Sequence, residues 1–436
     1  MSIDIKKYLY ASDKLLVKKL GRVTQVVGLT IESTGPAVKI GETCLIRANK
    51  YDKPVLSEVV GFREGAVLLF PLGNMEGVGP GSIVEATGAP LQIKVSDALL
   101  GSVLNGIGEP MDGNGDLPDG EGFSTFNPAP NPLHRARIHE PLPLGVKAID
   151  GLLTVGKGQR IGIFAGSGVG KSTLMGMIAR NARAEVNVIA LIGERGREVR
   201  EFIEKDLGKE GLKRSVIVIA TSDQPALVRV KAAEVGTAIA EYFRSKGKSV
   251  MLMMDSLTRF AMAQREVGLA TGEPPVSRGY TPSVFAAMPK LLERAGNDKK
   301  GSITGMYTVL VDGDDLTELV TDTARGILDG HIVLNRKIAN RNHYPAIDVL
   351  ASVSRVMGDV VTPEHSGAAN KLKKTMANYA DAEDLINIGA YTKGSSADID
   401  YAIEKHSAIE EFLVQGVSEK VSFGETVSQL REIVGV

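Results

Sequence analysis

Residues 164–173 read FAGSGVGKST, small residues closing on a lysine and two hydroxyls. Gly166, Gly168 and Gly170, with Ser167 and Val169 between them, let the main chain approach a phosphate closely. Lys171 can reach the β- and γ-phosphates of a nucleotide, Ser172 offers a hydroxyl to Mg²⁺, and Thr173 follows in the first helical turn. The usual first glycine of such a loop is Ala165 here. A bare tight turn is the alternative. The flanks favour a phosphate cradle: apolar RIGIF precedes the loop and helix-patterned KSTLMGMIARNA follows it, so first-turn amides point at the ligand.

Binding a nucleotide is not hydrolysing it. Hydrolysis needs a magnesium anchor, a group that orients water, and positive charge for the transition state. Asp255 ends the apolar run SVMLMM, where a carboxylate can join the Mg²⁺ shell; an ordinary N-cap for the next helix is the competing reading. Glu194 ends VIALIG, at the carboxyl edge of a sheet where ligands collect, and can orient or deprotonate water. Its competing reading is a surface pair with Arg195 or Arg197, which contributes little.

These residues need strands to carry them. From about residue 150, GQRIGIFAG, AEVNVIALIG, RSVIVIAT, KSVMLMMD, GSITGMYTVLV and GHIVLN are apolar runs separated by helical patterns, as in a mainly parallel sheet covered by helices. Before them, GRVTQVVGLTIEST, AVKIGETCLI, SEVVGFREGAVLLFPL and GSIVEATG predict a small β-barrel or sandwich. The proline- and glycine-dense stretches between, residues 105–122 and 126–145, predict an extended connection without regular elements. After about 360 the pattern is helical. The expected division is 1–20 as a partner-binding segment, 21–92 as barrel, 93–360 as nucleotide-binding core and 361–436 as helical domain.

Composition narrows the function. The 51 Lys plus Arg nearly balance 52 Asp plus Glu, so the chain lacks the basic excess of a general nucleic-acid binder. The single cysteine, Cys44, forms no internal disulfide, and the six histidines show no metal spacing. No apolar run approaches the ~20 residues of a membrane helix, and the first residues carry no signal core, so the expectation is a cytoplasmic protein. In DGDDLTELVTD, Thr317 stands where a calcium loop needs glycine.

KAIDGLLTVGKGQRIGIFAGSGVGKSTL, GERGREV, DSLTRFAMAQRE, GEPPVSRGYTPSVFAAMPKLLERAG, ILDGHIVLNR and YPAIDVLASVSRVM together resemble the flagellar protein-export ATPases. That family is related to injectisome secretion ATPases and to the catalytic subunits of rotary ATP synthases. The likeness runs from about residue 20 to the end. It implies a RecA-like P-loop core, ATP and Mg²⁺ as ligands, and a homo-hexameric ring that energises type III export. It also implies that Arg355, otherwise a candidate for a structural ion pair, reaches the neighbouring subunit's nucleotide, and that Tyr344 packs on adenine. Arg278 and Tyr280 would face a central stalk-like protein in the ring opening.

Further partners implied are a regulatory subunit at the N-terminal segment, export-gate membrane proteins, export substrates and their chaperones, with peripheral association at the cytoplasmic face of the inner membrane. In that segment Ile5, Tyr8, Leu9, Leu16 and Leu20 share one helical face, beside Lys6, Lys7, Lys14, Lys18 and Lys19. One departure is Leu319, where the family usually has proline. Four readings stay open: an injectisome ATPase, a rotary synthase subunit, an RNA-translocating helicase, and a nucleotide-binding scaffold without turnover. The helicase reading is weakened by the few stacking aromatics of the barrel region, Tyr51, Phe62 and Phe70.

Overall fold

The computed structural model describes residues 20–49, 53–111, 120–311 and 318–436. Most of the 1–20 segment and all of 312–317, including Thr317, lie outside them. Six antiparallel strands close a barrel: β1 (Leu20–Val27), β2 (Thr30–Ser33), β3 (Glu42–Arg47), β4 (Val55–Arg63), β5 (Ala66–Pro71) and β6 (Ile83–Pro90), in the order β1-β2-β5-β4-β3-β6. Val23, Ile31, Cys44, Ile46, Val59, Leu69 and Val84 point inward and form its core. Closure removes the sheet edges that short β-branched strands would otherwise expose.

The barrel is welded to the next layer. Phe70 and Leu72 leave β5 to join the main core, and Glu58 meets Lys231 at 2.7 Å in a buried pair. Burial pushes the Glu58 carboxyl up to about 7, against the pull of Lys231.

A nine-stranded sheet forms the centre. β7 (Gln92–Val95) pairs with β9 (Glu121–Ser124) outside it, and β8 (Val103–Asn105) is its edge. The remaining strands are β10 (Arg160–Ala165), β11 (Val186–Ile192), β12 (Ser215–Ala220), β13 (Ser249–Asp255), β14 (Gly296–Asn297), β15 (Ser302–Leu310), β16 (Gly330–Leu334) and β17 (Ile347–Ser354). Their order is β17-β16-β10-β15-β13-β11-β12-β8, with β14 against β15; β14 and β17 run antiparallel and the others parallel. Strand periodicity divides two cores. Val186, Val188, Ala190 and Ile192 serve one face, under the helix Ala226–Ser245, and Ile189 and Leu191 serve the other, over the helix Lys171–Asn181. The helices Pro363–Asn387, Ala397–Leu413 and Phe423–Val434 complete that second face, started by the caps Thr362, Ser396 and Ser422.

The connection between barrel and core is more regular than its composition suggests. Its glycine-rich part supplies Asn105 to β8 and Glu121 and Gly122 to β9, and Pro132–His134 forms a 3₁₀ turn. Pairing with strands already in place overrides weak local propensity. The strap is then bolted down: Arg294 donates to both carboxylate oxygens of Glu241 at 2.8 and 2.7 Å and to the Thr125 carbonyl at 3.0 Å, while Asn127 donates to Glu241 at 2.9 Å. Both charges are buried. Arg294→Ala leaves buried Glu241 without its cation, and is expected to cost about 3–5 kcal/mol in denaturant unfolding; a loss under about 1 kcal/mol would show that the pair does not anchor the strap.

Candidate active site

The loop after β10 is shaped by backbone conformation. Gly168 and Gly170 have φ of 78° and 90°, which side-chain-bearing residues rarely adopt. Gly170 is the N-cap and provides no side chain, and the first turn holds no acid. The helix therefore starts with amides free to receive an anion. Val169 is buried and pins the loop, while Ser167 and Ser172 stay exposed at its mouth.

Three strands deliver charge to that mouth. Lys171 Nζ lies 2.5 Å from Asp255 Oδ1, at the end of β13, and 3.5 Å from Glu194 Oε1, just past β11. Thr308 of the intervening β15 donates to the same Asp255 oxygen at 2.6 Å. Asp255 is not the cap of the following helix: Ser256 is, accepting from the Arg259 amide. Glu194 does not pair with the nearby arginines, since Arg195 takes Glu198 and Arg197 takes Glu201.

One ammonium thus faces two carboxylates where water is scarce. Coulomb attraction falls as 1/r, so Asp255 holds Lys171 roughly 1.4 times as strongly as Glu194 does. Burial opposes charge on Lys171, yet the two carboxylates win and hold it above its ordinary value. Glu194 is left under-neutralised: burial first, then Asp255, push its carboxyl up to about 7. A carboxylate poised there can accept a proton from water at neutral pH.

Tyr344 reaches the same loop from a distant segment. A methyl added to Gly170 would stand 3.5 Å from Cδ1 and Cε1 of its ring. Its carbonyl accepts the Gln415 amide at 2.9 Å, and the Gln415 side chain bridges the Lys147 amide and the Gly145 carbonyl. The structure gathers Gly166, Ser167, Gly168, Val169, Gly170, Lys171, Ser172, Thr173, Glu194, Asp255 and Tyr344 around one mouth. It does not bring Arg355 there. Ser354 is level with Gly330 in the antiparallel β16–β17 pair, and the Arg355 amide donates to Asp329, itself bonded to Arg160 at the start of β10. Five residues at ~3.3 Å separate that level from Ala165, so exposed Arg355 lies some 16 Å down the sheet from its own loop.

Tyr280 overturns an expectation. It is 5 % exposed, edge-on to Phe285, with Arg265 over its ring. It is a core anchor, and only Arg278 of that pair lies on an exposed turn, at φ 46°. Sequence reading also passed over Thr308, Gln415 and Arg259. Arg259 lays its stem against Gly193, and its buried Nε has no hydrogen-bond partner among the described residues. A lone threonine inside the apolar run GMYTVLV was a usable signal; Gln415 offered none.

Residues 145–354 match the ATP synthase alpha/beta family nucleotide-binding domain, 23–88 the beta-barrel domain of that family, and 361–432 the T3SS EscN ATPase C-terminal domain. The Flagellum-specific ATP synthase of Bacillus subtilis is 59 % identical over 96 % of both chains. The Type 3 secretion system ATPase of Xanthomonas euvesicatoria is 51 % identical over 95 % of this chain and 94 % of its own. The assembled ATPase EscN of the enteropathogenic E. coli type III secretion system superposes with TM-score 0.90 alone and 0.88 in complex with its central stalk EscO, each 48 % identical over 95 % of this chain and 100 % of that one. The chain belongs to the family of flagellar and type III secretion ATPases, and it is an ATPase.

Two consequences can be measured. The kcat/KM for ATP should rise with an acid limb near pH 7 set by Glu194; a profile flat from about pH 5.5 to 8.5 would remove the carboxylate from the rate. Because folding raises this pKa, the native chain keeps a proton that the unfolded chain loses above the ordinary carboxylate range. Stability contributed by protonated Glu194 is therefore lost as pH rises toward 7. Glu194→Gln should abolish hydrolysis while stabilising the fold at pH 8 by about 1–3 kcal/mol; equal stability of the two proteins there would contradict the charge imbalance.

Proposed function

We propose that this chain hydrolyses Mg-ATP as a ring of six like subunits, with each reaction centre shared by two neighbours, and that the ring energises export of flagellar proteins. The observation that carries this is the register of β17: Arg355 stands exposed at the opposite edge of the sheet from its own phosphate loop. A cation placed so is useful to hydrolysis only at the site of an adjacent copy.

In that reading the loop amides of 166–173 cradle the phosphates, and Lys171 leaves Asp255 for the β- and γ-oxygens. Asp255, freed of Lys171 but still held by Thr308, and the Ser172 hydroxyl are hard oxygen donors suited to Mg²⁺. When bound, Mg²⁺ neutralises phosphate charge. Glu194 orients water and takes its proton. Tyr344 stacks on the adenine, and the neighbour's Arg355 meets the charge that grows on the γ-phosphoryl oxygens.

The EscN assemblies support a ring with a central stalk, and Arg278, on its exposed turn, is the contact point in this reading. The division into a 1–20 partner segment, a 21–92 barrel, a 93–360 core and a 361–436 helical domain belongs to the same reading. So do a regulatory subunit at residues 1–20, export-gate proteins, export substrates and chaperones as partners, and a position at the cytoplasmic face of the inner membrane. Flagellar export is preferred over injectisome secretion because the 59 % and 54 % identical relatives are both flagellum-specific.

Mixing Arg355→Ala with Glu194→Gln protomers tests the shared centre. Each alone should be nearly inactive, and an equal mixture should recover about a quarter of wild-type turnover, from interfaces where both residues are intact; no recovery at any ratio would refute supply in trans. Tyr344→Ala should raise KM for ATP about tenfold with little change in kcat; an unchanged KM would take the ring off the base.

A further inference from the structure

Arg355 is not the only cation on its face. Its Nη2 donates to the backbone carbonyl of Arg325 at 3.2 Å, so the last turn of the helix Leu319–Ile327 fixes where its guanidinium sits. The Arg325 side chain springs from that same turn. Its Nε is sealed from solvent and has no hydrogen-bond partner among the described residues. His331 on β16 lies within the field of both: burial first, then Arg325, and more weakly Arg355, lower its pKa, against the Ala351 carbonyl that accepts from its ring.

The acid that would ordinarily neutralise such a cluster is already engaged. Both oxygens of Asp329 are held by Arg160, at 3.0 Å each, through its amide, Nε and Nη2. Two guanidiniums therefore share one patch, one with a desolvated nitrogen, and no carboxylate of the described residues forms an ion pair with either. A buried donor left without a partner is unfavourable, and like charges side by side add to that. The arrangement makes sense if an oxyanion of high charge arrives from outside. A single carboxylate would balance one guanidinium; a triphosphate balances two.

We propose that Arg325 works on the neighbouring subunit's nucleotide together with Arg355, holding the Arg355 guanidinium through its main chain and adding its own cation at the phosphates. This rests on the trans reading of Arg355 and extends it to a second residue on the same face.

The test uses full-length protein and mixed rings. Arg325→Ala alone should lower kcat about 10- to 100-fold with nucleotide-free assembly unchanged, and Arg325→Lys should restore part of it. Mixed with Glu194→Gln, Arg325→Ala should recover turnover, because the intact face of one protomer then meets the intact site of the other. Mixed with Arg355→Ala it should not recover, because every face carries one defect. The reverse pattern, recovery with Arg355→Ala and none with Glu194→Gln, would place Arg325 in its own subunit's site and overturn the proposal. So would loss of assembly without nucleotide, which would assign it to an interface carboxylate. If Arg355→Ala and Glu194→Gln themselves fail to complement, the failure belongs to the trans reading; if they succeed and Arg325→Ala with Glu194→Gln does not, it belongs to Arg325 alone.

Discussion

One ammonium between two buried carboxylates is the constraint from which the rest follows. Lys171, Asp255 and Glu194 come from the ends of three different chain segments, and only a parallel sheet places those ends side by side. The apo site satisfies Lys171 with Asp255 and leaves Glu194 short of positive charge. Such a site is stable enough to fold and unbalanced enough to favour a ligand that rearranges its charges. The strands β11, β12 and β13, apolar but for Asn187, Ser215, Ser249 and Asp255 and buried along their whole length, supply the rigidity that holds like charges this close.

The same sheet explains why a single copy is incomplete. Parallel strands send their carboxyl ends to one edge, and antiparallel β17 sends its end to the other. A residue following β17 therefore cannot serve the loop following β10 within one chain. Arg355 is a cation presented outward, and in the proposed reading the neighbouring site is where that charge, with Arg325, finds phosphate.

Much of this was legible in the residues themselves. The loop, its flanking strand and helix, and the two strand-terminal carboxylates follow from spacing, because phosphate chemistry demands those types at those offsets. The barrel and parallel core follow from β-branched runs and apolar strands. What was not legible depends on pairing between distant segments. The strand Ile347–Ser354 carries three exposed positions and no apolar run longer than three residues, so only its pairing with β16 reveals its direction. Tyr280 read as a pore residue because the resemblance places its loop at the ring opening, yet its ring is tucked against Phe285. Glu121 and Gly122 lie in a stretch dense in glycine and proline, and become strand only through β7. Gln415 and Arg325 act through main-chain partners that no local pattern announces.

The central claim is that two adjacent copies build each centre, and dilution addresses it without any substitution. Turnover per chain, followed as total protein falls through the concentration at which sizing or mass photometry shows the assembly dissociating, should collapse in step with it, by about 10³-fold or more in the isolated copy. An isolated copy that turns over ATP at the assembled rate would contradict the account.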